Sequence, residues 1–190
     1  MYEASKVIKE QLRESAELKL KLAKELPRQL TAVARELTTC LKNGNKVLLC
    51  GNGGSAADAQ HLAAELVGRF RKERRGLAAL ALTTDTSVLT AVGNDFSFEE
   101  IFSRQVEALG NAGDVLVAIS TSGTSKNVLA AVRKARSMRL RTIGLLGSRG
   151  GQIAALVDHA IIVPSSDAQR IQECHITLAH ILCELVELSL

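Results

Sequence analysis

KVLLCGNGGSAADAQHLAAE, residues 46–65, opens as a short apolar run, breaks into four small loop residues, and continues as helix formers that end in His61 and Glu65. An apolar run of this length, closed by glycines, suits a strand buried on both faces. The loop after it, GNGGSA at 51–56, has the G-x-G-x-x-A spacing of a dinucleotide-binding turn, and it suits a phosphate cradle equally well. His61 and Glu65 stand four residues apart and so share one helical face, as two ligands of a single cation must. An exposed histidine–glutamate hydrogen bond would need the same spacing. A strand, a glycine loop and a helix in this order point to an α/β chain.

Further apolar runs occur at 78–82 (AALAL), 115–119 (VLVAI), 142–146 (TIGLL) and 160–163 (AIIV), with helical stretches between them and a long last helix from about 168 to 189. Strands separated by helices need crossover connections, which predicts a five-stranded parallel sheet covered by helices on both faces. Upstream, residues 1–43 read as helix broken near Pro27. Ile8 and Leu12, then Leu30, Val33, Leu37 and Leu41, recur there at three- and four-residue spacing. The chain therefore divides into a helical extension at 1–43 and a sheet domain at 44–190, within one structural unit. The stripe of the extension can be buried on its own sheet or on another subunit, so an oligomer is expected.

The chain has 190 residues, is 46% hydrophobic, and carries a net charge of only +4, which fits one globular unit with a sizeable core. Aromatic residues make up 3%, with no Trp, which weakens a single-stranded nucleic-acid reading because such binders stack bases on aromatic platforms. The one basic run, RFRKERR at 69–75, is short and isolated; it reads as a solvated loop, with Arg69 placed to approach a bound phosphate. Cys40, Cys50, Cys174 and Cys183 lie in apolar segments without a CxxC pair, which suits buried, reduced thiols. No stretch looks like a signal peptide or reaches the roughly 20 apolar residues of a membrane span. The expectation is a cytoplasmic protein that binds neither membrane nor nucleic acid.

Ligands of open α/β sheets bind at the carboxyl ends of the strands. In AISTSGTSKNVL, 118–129, Ser120, Thr121, Ser122, Thr124 and Ser125 surround Gly123 where a strand should hand over to a helix. Free N–H groups of a helix start, together with hydroxyl donors, suit a phosphate monoester. Capping alone would use one or two of these hydroxyls, not five. A dinucleotide site would want an acidic residue at the end of the second strand, but ALTTDTS places Asp85 beyond two threonines. GND at 93–95 reads as a turn whose Asn94 and Asp95 either bind sugar hydroxyls or close a plain Asx turn. In the last helix, RIQECHITLAHIL brings Gln172, His175 and His180 into an apolar setting, where polar groups need partners. Helical angles put the two histidines on opposite shoulders of Gln172 and do not choose between them as a metal ligand.

Taken together, GNGGSAADAQHLAAEL, LTTDTSVLTAVGNDFSFEEIFSRQVEALG, GDVLVAISTSGTSKNV and RIQECHITLAHILCELVE resemble the sugar isomerase (SIS) domain family, in its phosphoheptose isomerase branch. The resemblance covers nearly the whole chain. It implies a flavodoxin-like parallel sheet and a homotetramer built partly with the N-terminal helices. It also implies a ketose–aldose isomerisation of D-sedoheptulose 7-phosphate to D-glycero-D-manno-heptose 7-phosphate. By this resemblance His61, Glu65, Gln172 and His180 would hold one zinc ion per subunit, and Glu65 and His180 would move protons. Substrate contacts would fall on Asn52, Gly53, Gly54, Ser55, Glu65, Asn94, Asp95, Ser120, Thr121, Ser122, Ser125 and Gln172. Two departures stand out: Gln169 replaces an acidic residue found in some members, and the phosphate loop reads STSGTS rather than STSGNS. The alternative within the family is a non-enzymatic tetramer that binds the bacterial replication initiator; it would lack the pair at Glu65 and His180. A sugar-phosphate sensor without a metal is a third reading.

Overall fold

The structure, a computed structural model, describes residues 3–190; the first two residues of the expected N-terminal helix lie outside the described residues. Two helices come first, α1 (Ala4–Glu25) and α2 (Pro27–Lys42). Pro27 occupies the first turn of α2, where its missing N–H costs nothing and its ring ends α1. Then β1 (Val47–Cys50), β2 (Ala79–Ala81), β3 (Val115–Ser120), β4 (Arg141–Gly147) and β5 (His159–Val163) form one sheet in the order β2-β1-β3-β4-β5, with every pair parallel. This is the flavodoxin-like order, and its topological switch point lies between β1 and β3. The helices between the strands are α3 (Gly54–Val67), α4 (Thr86–Asp95), α5 (Ser103–Leu109), α6 (Lys126–Ser137) and α7 (Gly151–Ala154), and α8 (Ala168–Ser189) closes the chain.

Alternation along the strands feeds two cores. Val47, Leu49, Val115, Val117, Ile143, Leu145 and Ile161 face one layer, made by α1, α2, α3 and α8. Leu48, Cys50, Leu116, Ala118 and Leu146 face the other, with Phe102 and Val106 of α5 and Val128 and Val132 of α6. Strand β2 departs from the expected buried run: it lies at one edge of the sheet, and Leu80 is exposed.

Leu30, Val33, Leu37 and Leu41 of α2 join the first core, so this half of the N-terminal stripe is buried on its own sheet. Val7, Ile8, Leu12 and Leu20 of α1 remain exposed. All four cysteines are buried and unpaired, and burial pushes the Cys50 thiol up to about 12. Among the described residues no helix is long and apolar enough to cross a membrane.

Candidate functional site

At the switch point the loop after β1 meets the start of α6. Asn52 and Asn127 exchange two amide hydrogen bonds of 2.9 Å each, and the Asn127 Oδ1 also accepts the Val128 N–H at 2.9 Å. Asn127 is almost wholly buried. A buried amide with both ends used is a rigid joint, because rotating it would orphan several groups at once. Nothing in the sequence pattern singles out Asn127.

The hydroxyl loop after β3 is held by its own members. Buried Ser120 has its Oγ 3.0 Å from Ser125 Oγ and 3.4 Å from Ser122 Oγ, and it accepts the Gly123 N–H at 3.1 Å. Ser122 Oγ accepts from the Thr124 N–H and hydroxyl. Ser125 stands at the N-cap of α6 yet makes no side-chain cap bond. The hydroxyls therefore converge on one another at the head of a twelve-residue helix rather than serving as helix caps. Gly123 has φ +66°, and its carbonyl accepts the Ile153 N–H at 3.0 Å. A Cβ there would strike the Gly150 carbonyl, so only glycine lets this loop lie against the next one. Converging hydroxyls at a helix start suit an anion.

Helices α3 and α8 run side by side in the same direction. At the start of α3, a Cβ on Gly54 would come within 2.5 Å of Gln172 Nε2, so this glycine makes room for the Gln172 amide. Further along, His180 Nε2 lies 3.0 Å from His61 Nε2, and His61 Nε2 lies 3.2 Å from Glu65 Oε1. One ligand atom from each of His61, Glu65 and His180 falls within 4.8 Å of the others. The two imidazoles stand at 58° to each other with centroids 4.9 Å apart. Two ring nitrogens and a carboxylate oxygen facing one point is a donor set for a cation. Gln172 stands eight residues before His180, about 12 Å along the helix axis, and its amide lies near Gly54.

The ambiguity between the two histidines of α8 has a geometric answer. His175 is wholly buried, with Nε2 3.1 Å from the Leu146 carbonyl oxygen and Nδ1 without a partner. Burial pushes its imidazole down to about 4, although the Leu146 contact works the other way. It points to the sheet, and His180 points to α3.

One expectation needs correction. GND is not a turn: α4 continues through Gly93, Asn94 and Asp95, and its last bond runs from the Phe96 N–H to the Val92 carbonyl. Both polar residues are exposed, and Asn94 Nδ2 donates to Asp95 Oδ1 at 2.9 Å. Asp85, beyond the end of β2, caps α4 by accepting the Val88 N–H at 3.0 Å. RFRKERR is mostly solvent-exposed, as expected of a surface loop, with Arg69 among its exposed residues, but Arg74 pairs with buried Glu187 at 2.9 Å.

The sequence reading also missed Asp58, one turn before His61 on α3. Its Oδ2 is buried without a partner. Burial raises its carboxyl to about 6, with His61 pulling the other way.

Comparison with known proteins agrees along the chain. The SIS domain family model matches residues 11–147. The phosphoheptose isomerase of Aquifex aeolicus is 59% identical over 180 residues, spanning 95% of this chain and 94% of its own. Among solved structures, a phosphoheptose isomerase from Neisseria gonorrhoeae superposes with a TM-score of 0.93 at 47% identity, covering 97% of this chain and 99% of that one. Another from Francisella tularensis gives 0.95 at 39% identity, covering 98% and 100%.

Proposed function

Because the chain belongs to the SIS domain family and to its phosphoheptose isomerase branch, we infer that it converts D-sedoheptulose 7-phosphate to D-glycero-D-manno-heptose 7-phosphate, the entry step of lipopolysaccharide heptose synthesis. The observation that carries the reading is the meeting of His61, Glu65 and His180, on two helices, one of which begins at the switch-point loop. Nothing in the comparisons supports the initiator-binding alternative.

The donor set fits zinc. A tetrahedral ion with bonds of about 2.0–2.1 Å needs ligand atoms roughly 3.3 Å apart. The two spacings from His61 Nε2 are 3.0 and 3.2 Å, and all three ligand atoms lie within 4.8 Å of one another. His61, Glu65 and His180 would hold one zinc ion per subunit; Gln172, whose amide lies near Gly54, would have to reach along α8 to serve as the fourth ligand. Such an ion would supply Lewis-acid polarisation of substrate oxygens.

The chain's own groups do the rest. Ser120, Thr121, Ser122 and Ser125 bind the phosphate, whose remote binding energy positions the reacting end. Asn52, Gly53, Gly54, Ser55, Asn94, Asp95 and Gln172 are assigned to the sugar. Glu65 carries the proton between C1 and C2, and His180 Nε2 serves as the opposing acid or base, including in ring opening. A carboxylate that ligates a cation is a weaker base, so Glu65 would either change its coordination to act as the base or leave the ion a mainly organising role.

The same reading gives a cytoplasmic homotetramer, with 1–43 as the helical extension of a 44–190 domain and the exposed Val7, Ile8 and Leu12 of α1 as its contact stripe. An NMR assay of sedoheptulose 7-phosphate in deuterated water tests the proposal. Appearance of the manno-heptose phosphate with deuterium at C2, lost on chelation and restored by zinc, is the expected result. A folded, zinc-loaded protein without turnover would end it.

A further inference from the structure

The basic run that the isomerase reading leaves unused joins the two helices that carry the triad. Glu187 lies in the last turn of α8, where a negative charge opposes the helix dipole, and it is buried. Its carboxylate accepts the N–H groups of Phe70, Arg71 and Lys72 at 2.9, 2.8 and 3.0 Å, and Arg74 Nε at 2.9 Å. Burial works against its ionisation, but these four donors outweigh burial and hold the carboxyl down at about 2.

The other end of Arg74 grips the terminus of α3. Its Nη2 donates to the Glu65 carbonyl at 2.9 Å, and Nη1 donates to the Leu66 and Gly68 carbonyls at 2.9 and 3.4 Å. These are the carbonyls that a helix leaves without partners, and a cation belongs there. One side chain thus touches both the backbone of Glu65 and the anchor at the end of α8.

Phe70 sits between these grips. Its N–H is tied to Glu187, and its ring lies against the imidazole of His180 with centroids 5.5 Å apart and planes 24° apart. The guanidinium of Arg71 lies 5.5 Å from the centre of the same ring. His180 is therefore flanked by Phe70 and by His61, and a stacked partner restricts the rotation that would turn Nε2 away from His61.

We propose that residues 68–75 form a positioning clasp for the triad: Arg74 and Glu187 set the spacing of α3 and α8, and Phe70 fixes the plane of the His180 ring. This rests on the reading of His61, Glu65 and His180 as the metal and acid–base set. Phe70, Arg74 and Glu187 are assigned no contact with substrate or ion; they act through the groups that have it, as supporting shells of metal sites generally act.

The test uses the full chain with Phe70→Leu, Phe70→Tyr and Glu187→Gln. Zinc affinity is measured by competition with a chromogenic chelator, and histidine ring signals are followed by NMR in the metal-free protein. Phe70→Leu and Glu187→Gln should each weaken zinc binding by about tenfold or more. Phe70→Tyr should restore wild-type affinity. Without metal, the His180 ring signals should broaden or double in Phe70→Leu and stay single in Phe70→Tyr. Phe70→Leu guards against a Glu187→Gln chain that fails to fold. Wild-type zinc affinity and a single His180 ring state in Phe70→Leu would overturn the clasp, as would a Phe70→Tyr chain as impaired as Phe70→Leu. A wild-type chain that binds no zinc, with His180 still broadened in Phe70→Leu, would retain the clasp and remove the metal reading.

Discussion

Asn52 and Asn127, 75 residues apart, hold each other through two amide hydrogen bonds of 2.9 Å across the switch point. The pair fixes the glycine loop relative to the helix that carries the phosphate loop. Replacing Asn127 with Leu leaves the Asn52 amide and the Val128 N–H without this partner, at a cost of about 1–3 kcal/mol. Urea melts should register that loss, and steady-state kinetics should show KM rising more than kcat falls. An unchanged KM would mean that the two loops hold their places independently.

Glu65→Gln and His180→Gln keep the size of each side chain and remove its proton chemistry. Each should lower kcat by about 10²–10⁴-fold, the usual contribution of a positioned acid or base. Circular dichroism and gel filtration should match the parent. Full activity in either variant removes that residue from the mechanism.

Zinc binding should appear as stability as well as rate. At free zinc a hundredfold above Kd, the folded state gains about 2.7 kcal/mol. Thermal melts with zinc should therefore lie several degrees above melts in chelator, and His61→Ala should erase the difference. A zinc-independent Tm in the parent would exclude a bound ion.

Asp58 supplies a pH dependence with a definite sign. Its carboxyl is raised to about 6 from a usual value near 4, chiefly by burial. The folded state therefore favours the protonated form: the stability from this group is complete below the ordinary value and is lost as pH rises through about 6. In metal-free protein, Asp58→Asn should raise Tm by a few degrees at pH 8 and leave it unchanged at pH 3.5. Equal shifts at both pH values would show that the side chain acts by packing, not by charge.

The layers and the loops are legible in the order of the residues. Short apolar runs alternating with helical stretches admit little besides a parallel sheet, because parallel neighbours need crossovers. The five strands lie where those runs lie, within a residue or two. The shared face of His61 and Glu65 follows from helical period alone, and the crowding of hydroxyls at 120–125 exceeds what capping uses.

Only tertiary structure decided what faces those elements. Helical angles could not separate His175 from His180; the parallel packing of α3 and α8 did, sending one to the Leu146 carbonyl and the other to His61. GND looked like a turn because Gly, Asn and Asp favour turns, but the fold carries α4 through all three before it ends at Phe96. RFRKERR does carry mostly solvent-facing charge, but nothing in it announces that Glu187, from the far end of the chain, accepts three of its backbone N–H groups. A local pattern records periodicity and propensity; a partner more than a hundred residues away leaves no mark in it, because the contact exists only once both helices have docked on the same sheet.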